Sequence, residues 1–517
     1  MASPNPPPVI VVGAGLAGLS AAYSALQSGA ASVRLLERNA KPGGNSIKAS
    51  SGINGAPTRF QNTAKYGVDQ SFWDDTVRSA GSRLHASVAP PIRKQREALI
   101  STLTNQSAAA IDFLVDLGVD LSVVAQLGGH SVPRTHRGAG KTPPGASIIT
   151  TFLSKLKDQG GDRFQLVTDA EVTKLLLTTT SQDSRVTGVE YHHRPAKDDS
   201  NSNNSNNNTP QTLHGPVVFA TGGFAGDTHG LLSRYRPDLA GLPSTNDPRP
   251  GAHALLTAAG ARLVDMDSVQ IHPTGFVDPA APRAPVKFLA AEMLRGEGAV
   301  LLRAGRRFVD ELDTRERVSS LIMAAPLSAA DDGDGDGGDG DGQGQGQRPG
   351  LRQSDVQLLL DPGASEAAAA HVGFYLWKGL LRKVKVGELD EVTRDTLRRY
   401  ARVVKGEERD EFGRTAFGHW RLGVEDIDQG ETEVCVGRVT PIVHFTMGGA
   451  VFNEKAQILA SELGEEEKPI EGLWGAGEIT GGIHGDNRLG GSSLLECVVF
   501  GRIAGEQAVK CALKMAV

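Results

Sequence analysis

Val9-Ile-Val-Val-Gly13-Ala-Gly15-Leu-Ala-Gly18-Leu-Ser-Ala-Ala decides how the rest of this chain is read. Four β-branched residues predict a short buried strand, three glycines a sharp turn, and the Ala/Leu-rich run a helix. Strand, turn and helix in that order describe a dinucleotide site. Gly13 permits the tight turn and Gly15 lets backbone approach a pyrophosphate. Gly18 lets the helix pack on the strand, with its first N–H groups facing the phosphates. A second strand, Ser32-Val-Arg-Leu-Leu-Glu37, ends in a carboxylate about as far on as a ribose-binding acid should be. Without the flanking elements and Glu37, the same glycines would describe a Gly-rich turn in any α/β sheet.

The next stretch, Arg38-Asn-Ala-Lys-Pro-Gly43-Gly44-Asn45-Ser46 into Ser50-Ser51-Gly52-Ile-Asn54-Gly55, alternates glycine with small polar residues. Backbone without bulky side chains can lie against a flat ligand, which points to a flavin rather than a nicotinamide. Residues 71–125 read as packing helices. Arg134, His136, Arg137 and Lys141 put four cations in a loop before a helix starting near Ala146. They read either as a solvated basic loop or as the edge of an anion or flavin pocket. Phe164 to Thr168, Glu171 to Leu177 and Val186 to Tyr191 read as strands of a small sheet. Asp198 to Asn208, rich in Asn and Ser, cannot bury a core and is expected to be a disordered loop. Pro216-Val-Val-Phe-Ala220-Thr221-Gly222-Gly223 is a second buried strand ending in glycines, either a ligand-facing corner or an ordinary one.

A chain of 517 residues is long enough for at least two domains. Its net charge of -6 describes no global basic surface and argues against a nucleic-acid partner. No basic leader precedes the fingerprint, and no apolar run approaches the roughly 18 residues of a membrane span. Cys435, Cys497 and Cys511 are too few and too scattered for a disulfide framework, a haem attachment or a cysteine-ligated cluster. A reducing, cytoplasmic setting is expected. Asp332, Asp334 and Asp336 before Gly337 imitate a calcium loop, but Gln343 holds the twelfth position and no helices frame it. The segment from Asp331 to Gln347 is expected to be a disordered insertion, and no metal site is expected.

The reactive side chains are densest between Gln270 and Arg317. Ile271-His272-Pro273-Thr274-Gly275 holds a histidine in extended backbone before a proline. In Ala290-Ala291-Glu292-Met-Leu-Arg295-Gly296, Glu292 and Arg295 stand three apart on one helical face and can pair. Two short strands in a hairpin follow, then Glu311-Leu-Asp313-Thr314-Arg315-Glu316. Near the C-terminus, Thr440-Pro-Ile-Val-His444-Phe-Thr-Met447-Gly448-Gly449 adds a second histidine at a strand end. Gly475-Ala-Gly477-Glu478 closes another strand and leads through Ile483-His484-Gly-Asp-Asn487-Arg488-Leu-Gly490-Gly491-Ser492-Ser493 into a helix over Leu494 to Ala508. The N-terminus of that helix can face an anion.

With these motifs in place, the chain resembles the soluble, single-subunit fumarate reductases of the succinate dehydrogenase/fumarate reductase flavoprotein family, over nearly its whole length apart from the two low-complexity inserts. The resemblance implies an α/β fold: a two-dinucleotide-binding, Rossmann-like FAD domain in two parts, 1–265 and 441–517. An α+β capping domain is inserted at 266–440, with the active site between them. It implies reduction of fumarate to succinate by hydride from reduced FAD and a proton from Arg315. Glu292 and Arg295 match the relay that supplies the proton, and His272, His444 and Arg488 match the grip on the substrate carboxylates. The FAD contacts it implies begin with Gly13, Gly15, Ala17, Gly18, Glu37 and Arg38, and continue through Gly44, Asn45, Ser50, Ser51, Gly52 and Val172. Ala220, Thr221, Gly222, Glu478, Arg488, Ser493 and Leu494 complete them.

Three departures qualify this. Ala291 stands where some bacterial relatives carry a hydroxyl. Asn45 is the nearest match to the histidine that tethers FAD in membrane-complex relatives, so noncovalent FAD is expected. No haem-binding or cluster motif is present, so the electrons are expected from a diffusible reduced flavin or an unknown partner. The rivals are an L-aspartate oxidase, a ketosteroid dehydrogenase, or a non-redox binding protein on the same fold, as GDP-dissociation inhibitors are.

Overall fold

The computed structural model describes residues 5–140, 142–179, 184–193, 209–324 and 350–516. Lys141, the Asn-rich segment 198–208 and the Asp/Gly-rich segment 331–347 with its calcium-like spacing lie outside the described residues. The chain divides into two compact units, one of residues 1–224, 250–269 and 445–517, the other of 225–249 and 270–444.

In the first unit the Val9–Val12 strand is apolar and buried at every position, because it is flanked by strands on both sides and covered on both faces. It pairs in parallel with Val33–Leu36 and with Val217–Phe219, which pairs in turn with Pro469–Gly475. The sheet has nine strands. The helix Leu16–Gln27 returns from the first strand to the second and lies against the last helix, Ser492–Met515. Gly501 and Gly505, four apart on one face, make that approach possible. A Cβ at these positions would stand 2.5 Å from the carbonyl oxygen of Ala17 and 2.3 Å from that of Ala21.

Two expectations are corrected here. Phe164–Val167 does not join the small sheet but pairs in parallel with Val33–Leu36 at the edge of the central one. The main chain of Glu37 fixes this, donating to Val167 and accepting from Ala170 at 2.8 and 2.9 Å. Ala170–Thr179, Ser184–His193 and Gln211–His214 form the antiparallel part. Of the cations in the loop before Ala146, Arg134 is neither solvated nor open to an anion. Arg134 is fully buried, with Nε and Nη2 on Asp69 at 2.7 and 3.0 Å and Nη1 on Asp75 at 2.6 Å. Two carboxylates already neutralise it.

His136, next to this cluster, is buried on the strand Thr135–Arg137. Its Nδ1 donates to the Arg134 carbonyl at 2.9 Å and its Nε2 accepts from the Thr58 hydroxyl at 2.7 Å, which uses both ring nitrogens in the neutral form. Burial pushes its pKa down to about 4. The unfolded chain protonates this ring below its ordinary value of about 6.5. The folded chain does so only near 4, so stability is full above 6.5 and is lost as pH falls. Unfolding free energy should drop by roughly 3 kcal/mol between pH 7 and pH 4 on account of this residue. Denaturant titrations at both pH values should show a smaller drop in His136→Gln; an equal drop in the variant would refute the assignment.

The second unit is built on a seven-stranded sheet in which Val269–Phe276 and Glu433–Thr446 are neighbours. Residues 225–249, expected in the first domain, belong here. Ser244 bridges to Val286 and Val443, and its hydroxyl donates to the Val443 carbonyl at 3.0 Å. The hairpin Val300–Arg303 with Arg306–Arg307 forms as expected and leads to the helix Arg315–Met323. Among the described residues no helix is long and apolar enough to cross a membrane.

Candidate active site

Gln270, His272 and Thr274 alternate along one strand and therefore share a face. His272 is fully buried, and its Nδ1 accepts the Thr274 N–H at 3.2 Å. That bond assigns the ring proton to Nε2, a buried donor with no partner among the described residues. Burial, then the charges of Arg315, His444 and Arg295, hold His272 well below the usual histidine range, so it is neutral. His444 lies beside it, with ring centroids 5.5 Å apart, and its Nδ1 is 3.4 Å from the Thr245 hydroxyl.

Arg315 opens its helix, where the Thr314 hydroxyl accepts the Arg317 N–H as an N-cap. Its guanidinium is buried and reaches back to the central strand. Nε donates to Glu292 Oε2 at 2.8 Å, Nη2 donates to the same oxygen, and Nη1 donates to Gln270 Oε1 at 3.0 Å. The expected pairing of Glu292 with Arg295 is looser: their charged atoms are 4.0 Å apart. Glu292 precedes the single helical turn Met293–Gly296 instead of sitting inside a longer helix, and its carboxylate turns toward Arg315. Arg295 Nη1 donates to the Glu311 carbonyl at 2.7 Å, and burial pushes its pKa below the usual arginine range. The second unit thus gathers His272, His444, Glu292, Arg295 and Arg315. It adds Gln270, a role that only its place two residues before His272 on a strand could have suggested.

Arg488 belongs to the first unit. It is buried, with its guanidinium 4.4 Å above the Phe445 ring and Nη1 donating to the Leu489 carbonyl at 3.0 Å. Glu478 accepts the Thr446 N–H at 2.9 Å and its hydroxyl at 3.1 Å. Burial and the charge of Glu496 push its pKa up to about 7 against those bonds and Arg488. Gly223 makes room for this pair, since a Cβ there would stand 2.1 Å from Thr446 Oγ1 and 2.3 Å from Glu478 Oε1.

The first unit also holds a cradle that fits FAD. Gly13 has φ +101°, and a Cβ would meet the Ala220 carbonyl oxygen at 2.4 Å. At Gly18 it would stand 1.8 Å from the Gly13 oxygen. Gly15 is different: its backbone is ordinary and a Cβ would meet nothing nearer than Ser46 Oγ at 3.8 Å. The fold does not require that glycine, whereas a pyrophosphate lying against the backbone would. No side chain caps the helix that follows. Glu37 is buried and accepts the Ala14 and Asn39 N–H groups, both at 2.9 Å, which fixes the turn and leaves acceptor capacity for a ribose hydroxyl. Thr221 Oγ1 and Ser50 Oγ are buried polar atoms without partners among the described residues. Asn54 donates to the Gly490 carbonyl and to Ser492 Oγ, at 2.8 and 3.0 Å, and so sets the start of the last helix, where Ser493 and Leu494 lie. Ala17 is buried in the first helix, Val172 is half-buried on its strand, and Arg38, Gly44 and Asn45 are exposed.

The Fumarate reductase of Schizosaccharomyces pombe is 40% identical to this chain over 532 residues, covering 99% of this chain and 91% of that protein. Fumarate reductase 1 of Saccharomyces cerevisiae is 37% identical, covering 96% and 98%. Among solved structures, the open conformation of a flavocytochrome c3 fumarate reductase matches with a TM-score of 0.68 and 28% identity, across 99% of this chain and 79% of that one. The family model for the FAD binding domain matches residues 8–494, from the first strand through Arg488 to Leu494. Fingerprint, cradle and match agree from end to end: the chain belongs to the FAD binding domain family, and FAD is its cofactor.

Proposed function

We propose that this chain is a fumarate reductase in which Arg315 delivers the proton. One observation carries the reading: a buried guanidinium, clasped by Glu292 and Gln270, shares its unit with a neutral histidine whose Nε2–H lacks a partner. Relatives at 40% and 37% identity carry the name fumarate reductase, which supports it.

Reduction of fumarate adds a hydride to one alkene carbon and a proton to the other. Reduced FAD supplies the hydride when bound. His272 donates its Nε2–H to a substrate carboxylate, and with His444 and Arg488 it holds the dicarboxylate, so that positioning contributes much of the rate. Being neutral, His272 adds no further charge beside Arg315. Arg315 gives up a guanidinium proton to the alkene carbon. Arginine is a poor acid, so this requires immediate reprotonation, and the Glu292 carboxylate, within hydrogen-bond reach of Nε and Nη2, relays to Arg315 a proton that it takes from Arg295. Arg295, made more acidic by burial, restores the proton to Glu292.

FAD is noncovalent in this reading, because the carboxamide of Asn45 is no nucleophile. The donor is a diffusible reduced flavin or a partner protein. The cytoplasm is the proposed compartment, supported by three cysteines that are all free.

Anaerobically reduced holoenzyme should reoxidise on adding fumarate, with one succinate formed per flavin. No reoxidation with FAD bound would refute the reading, and oxygen consumption with L-aspartate would replace it with the oxidase.

A further inference from the structure

Arg295 is 2% exposed, so its orientation and charge are set by neighbours, not by water. Behind it lies an ion network that the proton relay does not include. Glu311, also fully buried, accepts four hydrogen bonds on its carboxylate. Arg307 forks onto it through Nε at 2.9 Å and Nη2 at 2.8 Å, Arg414 Nη1 reaches Oε2 at 2.8 Å, and the Leu301 N–H reaches Oε1 at 3.2 Å. Burial alone would raise its pKa, but the two arginines outweigh it and hold it down, so Glu311 stays ionised. Arg414 also donates to the main-chain carbonyls of Arg295 and Ala299, at 3.0 and 3.1 Å. Arg307 Nη1 is held by Asp410. The main chain of Glu311 carries the oxygen that Arg295 Nη1 grips at 2.7 Å.

We infer that Glu311 and Arg414 are positioning residues for proton delivery: together they fix Arg295 at both its main chain and its guanidinium, and the Glu311 charge keeps Arg295 protonated between turnovers. This rests on the fumarate reductase reading above. The charge balance explains why a carboxylate is needed. The groups that face Arg295 are Glu292, Arg315, Glu311 and Arg414, with neutral His272 beside Arg315 and the Arg307–Asp410 pair one step further out. Four guanidiniums therefore stand against three carboxylates in these ion pairs, with the Asp310 carboxyl and the Tyr400 hydroxyl also acting on Glu311 and Arg414. Neutralising Glu311 leaves four against two among those pairs, and the cheapest relief is loss of a proton from Arg295. A residue that only filled space at this position would leave that equilibrium alone.

The test is the pH dependence of kcat for fumarate in FAD-loaded enzyme. In Glu311→Gln the alkaline limb should move down by about one pH unit, since a like-sized neutral group replaces a charge within about 4–6 Å of its partners. KM should change less than about twofold, because the substrate grip is untouched. Arg414→Lys keeps the charge but cannot span Glu311 and both carbonyls. Its limb should stay in place while kcat falls about tenfold and the solvent deuterium isotope effect on kcat rises, as expected if proton supply becomes slower. An unmoved limb in folded Glu311→Gln overturns the inference. Should Glu311→Gln not fold, Arg414→Lys decides: a wild-type kcat and isotope effect overturn it, and a slowed, isotope-sensitive kcat with unchanged KM supports it. Failure of the wild-type enzyme to reduce fumarate at all would strike the underlying reading, which these variants do not address.

Discussion

Arg315→Ala should lower kcat for fumarate by about a thousandfold or more, with FAD still bound at full stoichiometry. No other side chain on the Arg315–Glu292–Gln270 triad holds a proton of its own for the alkene carbon: Glu292 is the acceptor in both described bonds from Arg315 and passes on only what Arg295 supplies, and Gln270 Oε1 is an acceptor too. Loss of the guanidinium also leaves a carboxylate that is 5% exposed with only the looser cation of Arg295, at 4.0 Å. Breaking such a pair from one side costs roughly 3–5 kcal/mol, so the variant must be compared at a temperature where circular dichroism and flavin absorbance show it folded. Arg315→Lys supplies the control: it restores a cation for Glu292 but not the two-nitrogen clasp, and should recover stability more than activity. Because donor and relay act as one unit, adding Glu292→Gln to Arg315→Ala should cost little more than the first change alone. Near-normal reoxidation of reduced Arg315→Ala by fumarate would remove Arg315 from the mechanism.

The route to that prediction shows which features of the chain are legible locally. The Val9–Val12 strand and its glycines announce themselves because each constraint, apolar run, positive φ and close helix packing, acts on adjacent residues. The side chains proposed to be catalytic lie in short motifs, so His272, Glu292, Arg295 and Arg315 are visible as residues. Their pairing is not. Glu292 is three residues from Arg295 and 23 from Arg315, yet the longer-range bond is the short one, since the single-turn helix aims the carboxylate away from its own element. Arg134 fails for a related reason: four cations within eight residues look like a solvated loop until Asp69 and Asp75, some sixty residues earlier, are brought against it. Sheet membership of Phe164–Val167 is set by a partner at Val33–Leu36, and four residues of alternating pattern carry no information about which sheet they join. The unit boundaries at 269 and 444 fall inside the continuous strands Val269–Phe276 and Glu433–Thr446, where composition does not change.

Arg488→Ala should act on binding where Arg315→Ala acts on chemistry. The Arg488 guanidinium is 2% exposed and its plane is set by the Phe445 ring beneath it and by the Leu489 carbonyl at its edge. A planar fork held in this way meets a carboxylate with two parallel bonds and pays little entropy in doing so. Removing a buried charged partner of this kind costs roughly 2–5 kcal/mol of affinity, which corresponds to a rise in the KM for fumarate of about thirtyfold to a few thousandfold. If the clamp holds ground state and transition state alike, kcat at saturating fumarate should fall much less than kcat/KM. Arg488→Lys should lie between the two, since an ammonium restores charge without the fork. Monocarboxylate analogues sharpen the assignment: an acrylate-like substrate lacking one carboxylate should lose less on Arg488→Ala than fumarate does if Arg488 grips the missing group. An unchanged KM for fumarate in Arg488→Ala would take this residue out of the substrate site and leave its stacking on Phe445 as its role.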